Sequence, residues 1–162
     1  MPTMKKSSSN TRDITDALGK RLSLATILFH SAVAERMGVT VTDAKCRSLL
    51  LQYGPLSAGD LATHLGLTTG AVTGVIDRLV AAKIVRRAKD GADGRRVVVE
   101  LVPNPSRDRA IDALFAPMGR RIRELVDELQ PRERKVIFDF LSKASGVLET
   151  ETRELRSRAP RA

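Results

Sequence analysis

The sequence predicts a mainly α fold carrying one small β-hairpin. Three observations carry this. Apolar residues recur at helical spacing over long stretches near both ends of the chain. Two short helices follow one another across His64-Leu-Gly-Leu-Thr68, with glycine in the turn. Between Ile84 and Val102 the apolar period becomes alternating, and Asp90-Gly-Ala-Asp-Gly94 interrupts it with turn chemistry.

Charge and composition narrow the partners. The 162 residues include 28 Lys and Arg against 19 Asp and Glu, a formal net charge of +9. Such a balance favours a polyanionic partner, most commonly nucleic acid. With one Tyr, four Phe and no Trp, the chain is poorly equipped to stack single-stranded bases. The one cysteine, Cys46, allows no intramolecular disulfide and suits a reducing, cytoplasmic setting. The polar stretch Met1 to Asn10 lacks the apolar segment of a signal peptide and reads as a disordered tail. No apolar run is long enough to span a bilayer, so no membrane partner is expected.

The elements follow in order. A first helix is expected from Thr11–Asp13 to Met37, with Ile14, Leu18, Leu22, Ala25, Phe29 and Ala32 on one face and Gly38 as its stop. A second, Asp43 to Tyr53, is expected to be capped by Thr42 and to turn Cys46, Leu49, Leu50 and Tyr53 inward before Gly54-Pro55 ends it. Ser57 and Asp60 resemble a capping box for a third helix, with Leu56 and Leu61 as its hydrophobic staple. Thr68 caps the fourth, where Leu67 and Val72 repeat the staple spacing. Two strands, Ile84 to Ala88 and Arg96 to Val102, then form a hairpin. Pro103 to Pro105 breaks it, and Asn104 caps a long helix that Pro117 is expected to kink. Pro131 opens a last helix with Val136, Ile137, Phe140, Leu141, Ala144, Val147 and Leu148 on its inner face, and the Arg-rich tail from Arg153 is expected to fray.

The helix from Thr68 to Ala82 has two unlike faces. Val72, Val75, Ile76, Leu79 and Val80 crowd one side, while Thr69, Gly70, Thr73, Gly74 and Asp77 occupy the other. Glycine costs about 1 kcal/mol against alanine inside a helix. Two of them on an outward face make sense if something must approach the backbone closely. The major groove admits one α-helix, and threonine can bond phosphate or touch a thymine methyl. Next along the chain, Arg86, Arg87, Lys89, Arg95 and Arg96 flank a short glycine-rich turn. A slender basic finger fits the minor groove, whose negative potential attracts arginine. The plain alternatives are a loosely built surface helix and a solvated charge run. Their succession, basic hairpin directly after helix–turn–helix, favours duplex DNA.

From Asp60 to Leu101 the sequence resembles the winged helix–turn–helix of the MarR (multiple antibiotic resistance regulator) family. Gly66-Leu-Thr-Thr-Gly-Ala-Val-Thr-Gly-Val-Ile-Asp-Arg-Leu79 and the wing Asp90-Gly-Ala-Asp-Gly-Arg-Arg96, leading into Val97-Val-Val-Glu-Leu101, carry the resemblance. Between a disordered tail over 1–10 and a frayed basic tail over 156–162, both read from composition, it implies helical dimerisation regions over 11–37 and 103–155 and a DNA-binding domain over 41–102. It further implies a cytoplasmic homodimer that binds pseudo-palindromic duplex DNA and regulates transcription, as a repressor in the first instance. The expected DNA contacts are Ser57, Thr68, Thr69, Gly70, Thr73, Gly74, Arg78, Arg86, Asp93, Arg95 and Arg96. Arg95 is the expected minor-groove reader, oriented by Asp93. Arg78 either meets phosphate or pairs with Asp77. Some members carry a long side chain where Gly74 stands, so more shape and wing readout than direct base readout is expected here. The family also binds small aromatic or anionic effectors between its lobes. His30, Arg47, Tyr53 and Phe115 are the candidates to line such a pocket, each with core packing or solvated surface as its alternative.

No enzyme constellation appears. Gly66, Gly70 and Gly74 lack the Gly-Lys-Ser/Thr ending of a phosphate loop, and there is no nucleophile elbow. One Cys and two scattered His do not make a metal site, and no cofactor is expected. Two competing readings remain: a winged-helix protein-interaction module that does not read DNA, and an oxidant sensor working through Cys46. The place of Cys46 on an apolar face favours a buried, inert thiol.

Overall fold

A computed structural model describes residues 10–91 and 96–157. Its elements are α1 (Thr11–Asp16), a π-helical turn (Ala17–Leu22), α2 (Ser23–Arg36), α3 (Val41–Tyr53), α4 (Ala58–Leu65), α5 (Thr69–Ala81), β1 (Val85–Lys89), β2 (Val97–Leu101), α6 (Pro105–Asp127) and α7 (Pro131–Ser157). The mainly helical fold with one hairpin is therefore as the sequence predicts. The chain divides into two compact units, Met1–Pro103 and Asn104–Ala162.

Local chemistry sets most boundaries in the first unit. Asn10 caps α1 through a reciprocal box with Asp13. The cap of α3 is Thr40, not Thr42: the Thr40 hydroxyl accepts from the Asp43 N–H at 3.1 Å, and the Asp43 carboxylate accepts from the Thr40 N–H at 3.2 Å. Thr42 has Lys45 three residues on, which offers no such acceptor, whereas Thr40 has Asp43. The first helix also departs from expectation. The π-helical turn shifts the phase of the helical stripe. Beyond it, Val33 and Ala34 are the buried residues, while Leu24, Ile27 and Leu28 stand exposed.

The core of this unit is built from α3, α4, α5 and the hairpin. Cys46, Leu50, Leu61, Val72, Val75, Ile76, Leu79, Ile84, Val85 and Val99 form one buried cluster. Leu61 is wholly buried, as its staple position requires. A leucine so placed contributes roughly 2 kcal/mol of apolar burial. β1 and β2 pair antiparallel with Arg87 opposite Val99. A further rung carries no local sequence signal: Leu56 bridges Val99, donating at 3.1 Å and accepting at 2.8 Å. That rung ties the residue before α4 to the hairpin.

The second unit holds α6 and α7. Asn104 caps α6, its side chain accepting from the Arg107 N–H at 2.9 Å. The helix continues through Pro117. Glu133 accepts from the Gln130 N–H at 2.8 Å where α7 begins, and α7 is helical through Ser157. Both helices carry exposed apolar side chains, among them Ile122, Leu125, Phe138, Val147 and Leu148.

Candidate nucleic-acid interface

The turn between α4 and α5 is tight because Gly66 adopts a left-handed conformation, φ 67°, with its N–H donating to the Ala62 carbonyl. Thr68 then caps α5, its hydroxyl accepting from the Ala71 N–H at 3.3 Å. One face of α5 is buried almost completely through Val72, Val75, Ile76 and Leu79. The opposite face presents Thr69, Gly70, Thr73 and Asp77 to solvent, with Gly74 half-buried beside them. The Thr73 hydroxyl donates back to the Thr69 carbonyl at 2.9 Å, leaving its methyl and remaining lone pair outward. A Cβ added at Gly70 would meet nothing within 4 Å, and one at Gly74 would meet only the tip of Arg78 at 3.8 Å. No contact within the described structure therefore requires glycine at either place.

Ion pairs hold the hairpin to the helices. Arg87 on β1 donates to Asp77 on α5 at 2.6 Å. Arg96, next to β2, donates to the Asp60 carboxylate at 2.7 Å and to the Ser57 hydroxyl at 3.1 Å. Hydrogen bonds from Ser57, first from its hydroxyl and then from its N–H, hold the Asp60 carboxyl below its ordinary range, and Arg96 adds to this. Arg86 and Glu100 face each other across the hairpin at 2.6 Å. Of the expected contact residues, Ser57 and Arg96 thus meet each other, and Arg86 is held within the hairpin.

Arg78 does not pair with Asp77: neighbours on a helix point about 100° apart, and Asp77 meets Arg87. Arg78 reaches Asp43 on α3 instead, at 2.7 and 3.3 Å. Burial pushes the Asp43 carboxyl up, but hydrogen bonds from Arg78 and Thr40 outweigh it and leave the group below its ordinary value. Asp93 and Arg95, the expected wing-tip pair, lie outside the described residues.

The four pocket candidates are spread over three helices. Tyr53 stacks on His64, with ring centroids 4.9 Å apart, a partner the sequence analysis missed. His30 lies edge-on to its neighbour Phe29. Arg47 is half-buried on α3 and Phe115 half-buried on α6. A cleft of about 440 Å³ opens between the α2–α3 turn and α5 beside Asp43 and Arg78, and none of the four lines it. Cys46 is fully buried; burial first, then the neighbouring Asp43 charge, pushes its thiol up to about 11. Among the described residues no group of His, Cys, Asp and Glu could hold a metal ion, and no helix is long and apolar enough to cross a membrane.

A two-helix turn motif with one face of its second helix bare, followed by a hairpin bonded back to both helices, defines a winged helix–turn–helix protein. The chain belongs to the MarR family of transcriptional regulators, whose sequence pattern it matches over residues 39–97. It is 39% identical over 139 residues to the uncharacterized HTH-type transcriptional regulator YcgE of Bacillus subtilis, covering 86% of this chain and 89% of that one. It is 28% identical over 136 residues to the HTH-type transcriptional repressor NicR of Pseudomonas putida, covering 81% and 84%. A MepR variant from S. aureus, solved bound to an oligodeoxyribonucleotide, shares the fold with a TM-score of 0.52 at 21% identity, covering 86% of this chain and 99% of that one.

The four ion pairs are not legible in the sequence, for one reason. The carboxylates that hold the basic residues, Asp43, Asp60, Asp77 and Glu100, lie between 10 and 36 residues from their partners. Only the packing of α3, α4, α5 and the hairpin brings them together. Asp43 did leave a local signal, the Thr40-x-x-Asp43 spacing, which marks a cap.

Proposed function

We propose that this protein is a homodimeric, sequence-specific duplex-DNA-binding repressor whose affinity a small aromatic or anionic effector lowers. The observation that carries DNA binding is the bare face of α5: Gly70 and Gly74 have space for side chains, so their backbone is left accessible to an outside body. A major groove is such a body, and the basic hairpin beside α5 supplies a second, electrostatic contact. Thr69, Gly70, Thr73 and Gly74 enter the groove; Thr68 and Ser57 meet the backbone; Arg86, Arg96 and Arg95, oriented by Asp93, serve the minor groove; Arg78 reaches phosphate from the edge of α5. The DNA-bound MepR variant and the repressor NicR support the same reading.

Dimerisation is supported by apolar surface. Leu24, Ile27 and Leu28 on α2, and Val136, Ile137, Phe140 and Leu141 on α7, are exposed in the single chain. Such faces ordinarily meet a partner, and a symmetric pair would set two recognition helices roughly 34 Å apart, one duplex turn. The effector reading rests on likeness to the family, with His30, Arg47, Tyr53 and Phe115 as its residues.

Selection of bound sequences from a random duplex pool tests this reading. Two inverted half-sites about ten base pairs apart are expected. Enrichment of nothing above background overturns DNA readout and leaves a protein-interaction module. Arg95→Ala is expected to lower affinity for the selected duplex by about 1–3 kcal/mol.

A further inference from the structure

Asp77 stands in the middle of the outward face of α5. At about 100° per residue it lies between the Thr69–Thr73 edge and the Gly70–Gly74 edge, one turn further along the helix. A carboxylate there opposes a polyanion, which is unexpected in a surface built to meet DNA. Its partner is Arg87 on β1, at 2.6 Å, and both side chains are about half exposed, 59% for Asp77 and 42% for Arg87. A competing anion can therefore reach the pair. The other wing pairs differ: Glu100 lies within the hairpin, and the Asp60 carboxylate is shared with the cap of α4. Among the described residues Arg87 is the one polar side-chain partner of Asp77.

The geometry points to Asp77 as an affinity-setting residue, an internal competitor that Arg87 must leave before it can grip a phosphate backbone. The inference rests on the DNA-binding reading above. In loose, non-cognate association the phosphates stay farther from Arg87 than the Asp77 carboxylate does, and the pair persists. When α5 seats fully in its cognate groove, backbone phosphates close on the hairpin and take Arg87 over. Non-cognate duplexes thus gain nothing from Arg87, while the cognate duplex gains the phosphate contact less the energy of the broken pair, so Asp77 holds cognate affinity below what an unpaired Arg87 would give. An exposed pair of this kind is worth about two- to fivefold in an equilibrium constant. Counterions give a second signature: when phosphate takes Arg87, the stranded Asp77 captures a cation, which offsets the counterion that the phosphate releases.

The test is fluorescence anisotropy on the full chain, using the duplex selected from the random pool and a scrambled duplex of equal length, from about 50 to 300 mM salt. The proteins are wild type, Asp77→Asn and Arg87→Gln, each checked for folding by thermal melting. Asp77→Asn is expected to tighten the selected duplex about two- to fivefold, to tighten the scrambled one less, and to steepen the selected-duplex salt slope by up to about one unit. Arg87→Gln is expected to weaken the selected duplex and leave the scrambled one unchanged. If both variants weaken both duplexes alike, the pair is only a structural tie and the inference fails. If Asp77→Asn weakens the selected duplex alone, Asp77 reads a base and the inference also fails. Failure of wild type to prefer any duplex would instead overturn the DNA-binding reading.

Discussion

Arg78 on α5 donates two hydrogen bonds to Asp43, a buried carboxylate that also closes the cap of α3. One side chain thereby fixes the start of α3 and ties α5 to it. Removing Asp43 undoes both at once. Asp43→Ala is expected to cost about 1–3 kcal/mol of stability in urea unfolding at neutral pH, since it deletes a cap and a charge-assisted bond.

The same carboxylate makes stability depend on acid. Its folded value lies below the ordinary 3.8, so its contribution is complete above that value and is lost as pH falls through the lower folded one. Unfolding midpoints of wild type should fall from about pH 4 downward, and those of Asp43→Asn should fall less steeply. Equal slopes for the two proteins would remove Asp43 from the acid response.

Gly70 and Gly74 separate folding from binding. Gly74→Ala, whose new Cβ would make only an ordinary contact with the tip of Arg78 at 3.8 Å, should stabilise the fold by about 0.5–1 kcal/mol through helix propensity. Gly70→Leu should fold normally yet lose about tenfold or more in affinity for the selected duplex, about 1.4 kcal/mol. Unimpaired binding by Gly70→Leu would place the DNA elsewhere.

Cys46 should behave as core. With its thiol pushed up to about 11, native protein at pH 8 should react with a disulfide dye far more slowly than protein unfolded in urea. The raised value stabilises the fold fully below the ordinary thiol value of 9.0, and that contribution is lost as pH rises through the folded value. Rapid labelling of the native protein would revive the oxidant-sensor reading.

Lys83 is a non-glycine residue in the left-handed region, φ 54°, where the chain leaves α5. Its N–H donates to the Val80 carbonyl and that of Ile84 to the Leu79 carbonyl, both at 2.9 Å. This is a position that glycine ordinarily fills. Lys83→Gly should therefore raise stability by up to about 1 kcal/mol in thermal or urea unfolding.

The sequence by itself determined the local pieces. Threonine, serine and asparagine caps, glycine stops and the α4–α5 turn depend on residues within four or five positions of one another, and the hairpin on strands joined by one short turn, so their chemistry is legible in order. The two faces of α5 were equally legible, because helical periodicity is itself local. Where local signals competed, as between Thr40 and Thr42, the reciprocal partner at Asp43 decided. The π-helical turn after Asp16 carried no such signal, and the faces of α2 shifted with it. Tertiary structure alone decided which carboxylate each arginine meets. Arg78 had Asp77 beside it in sequence, yet packing delivered Asp43 to Arg78 and Arg87 to Asp77. Ion pairing follows distance in space rather than along the chain, and that distance exists only once α3, α5 and the hairpin have closed over Leu61, Val72 and Ile76.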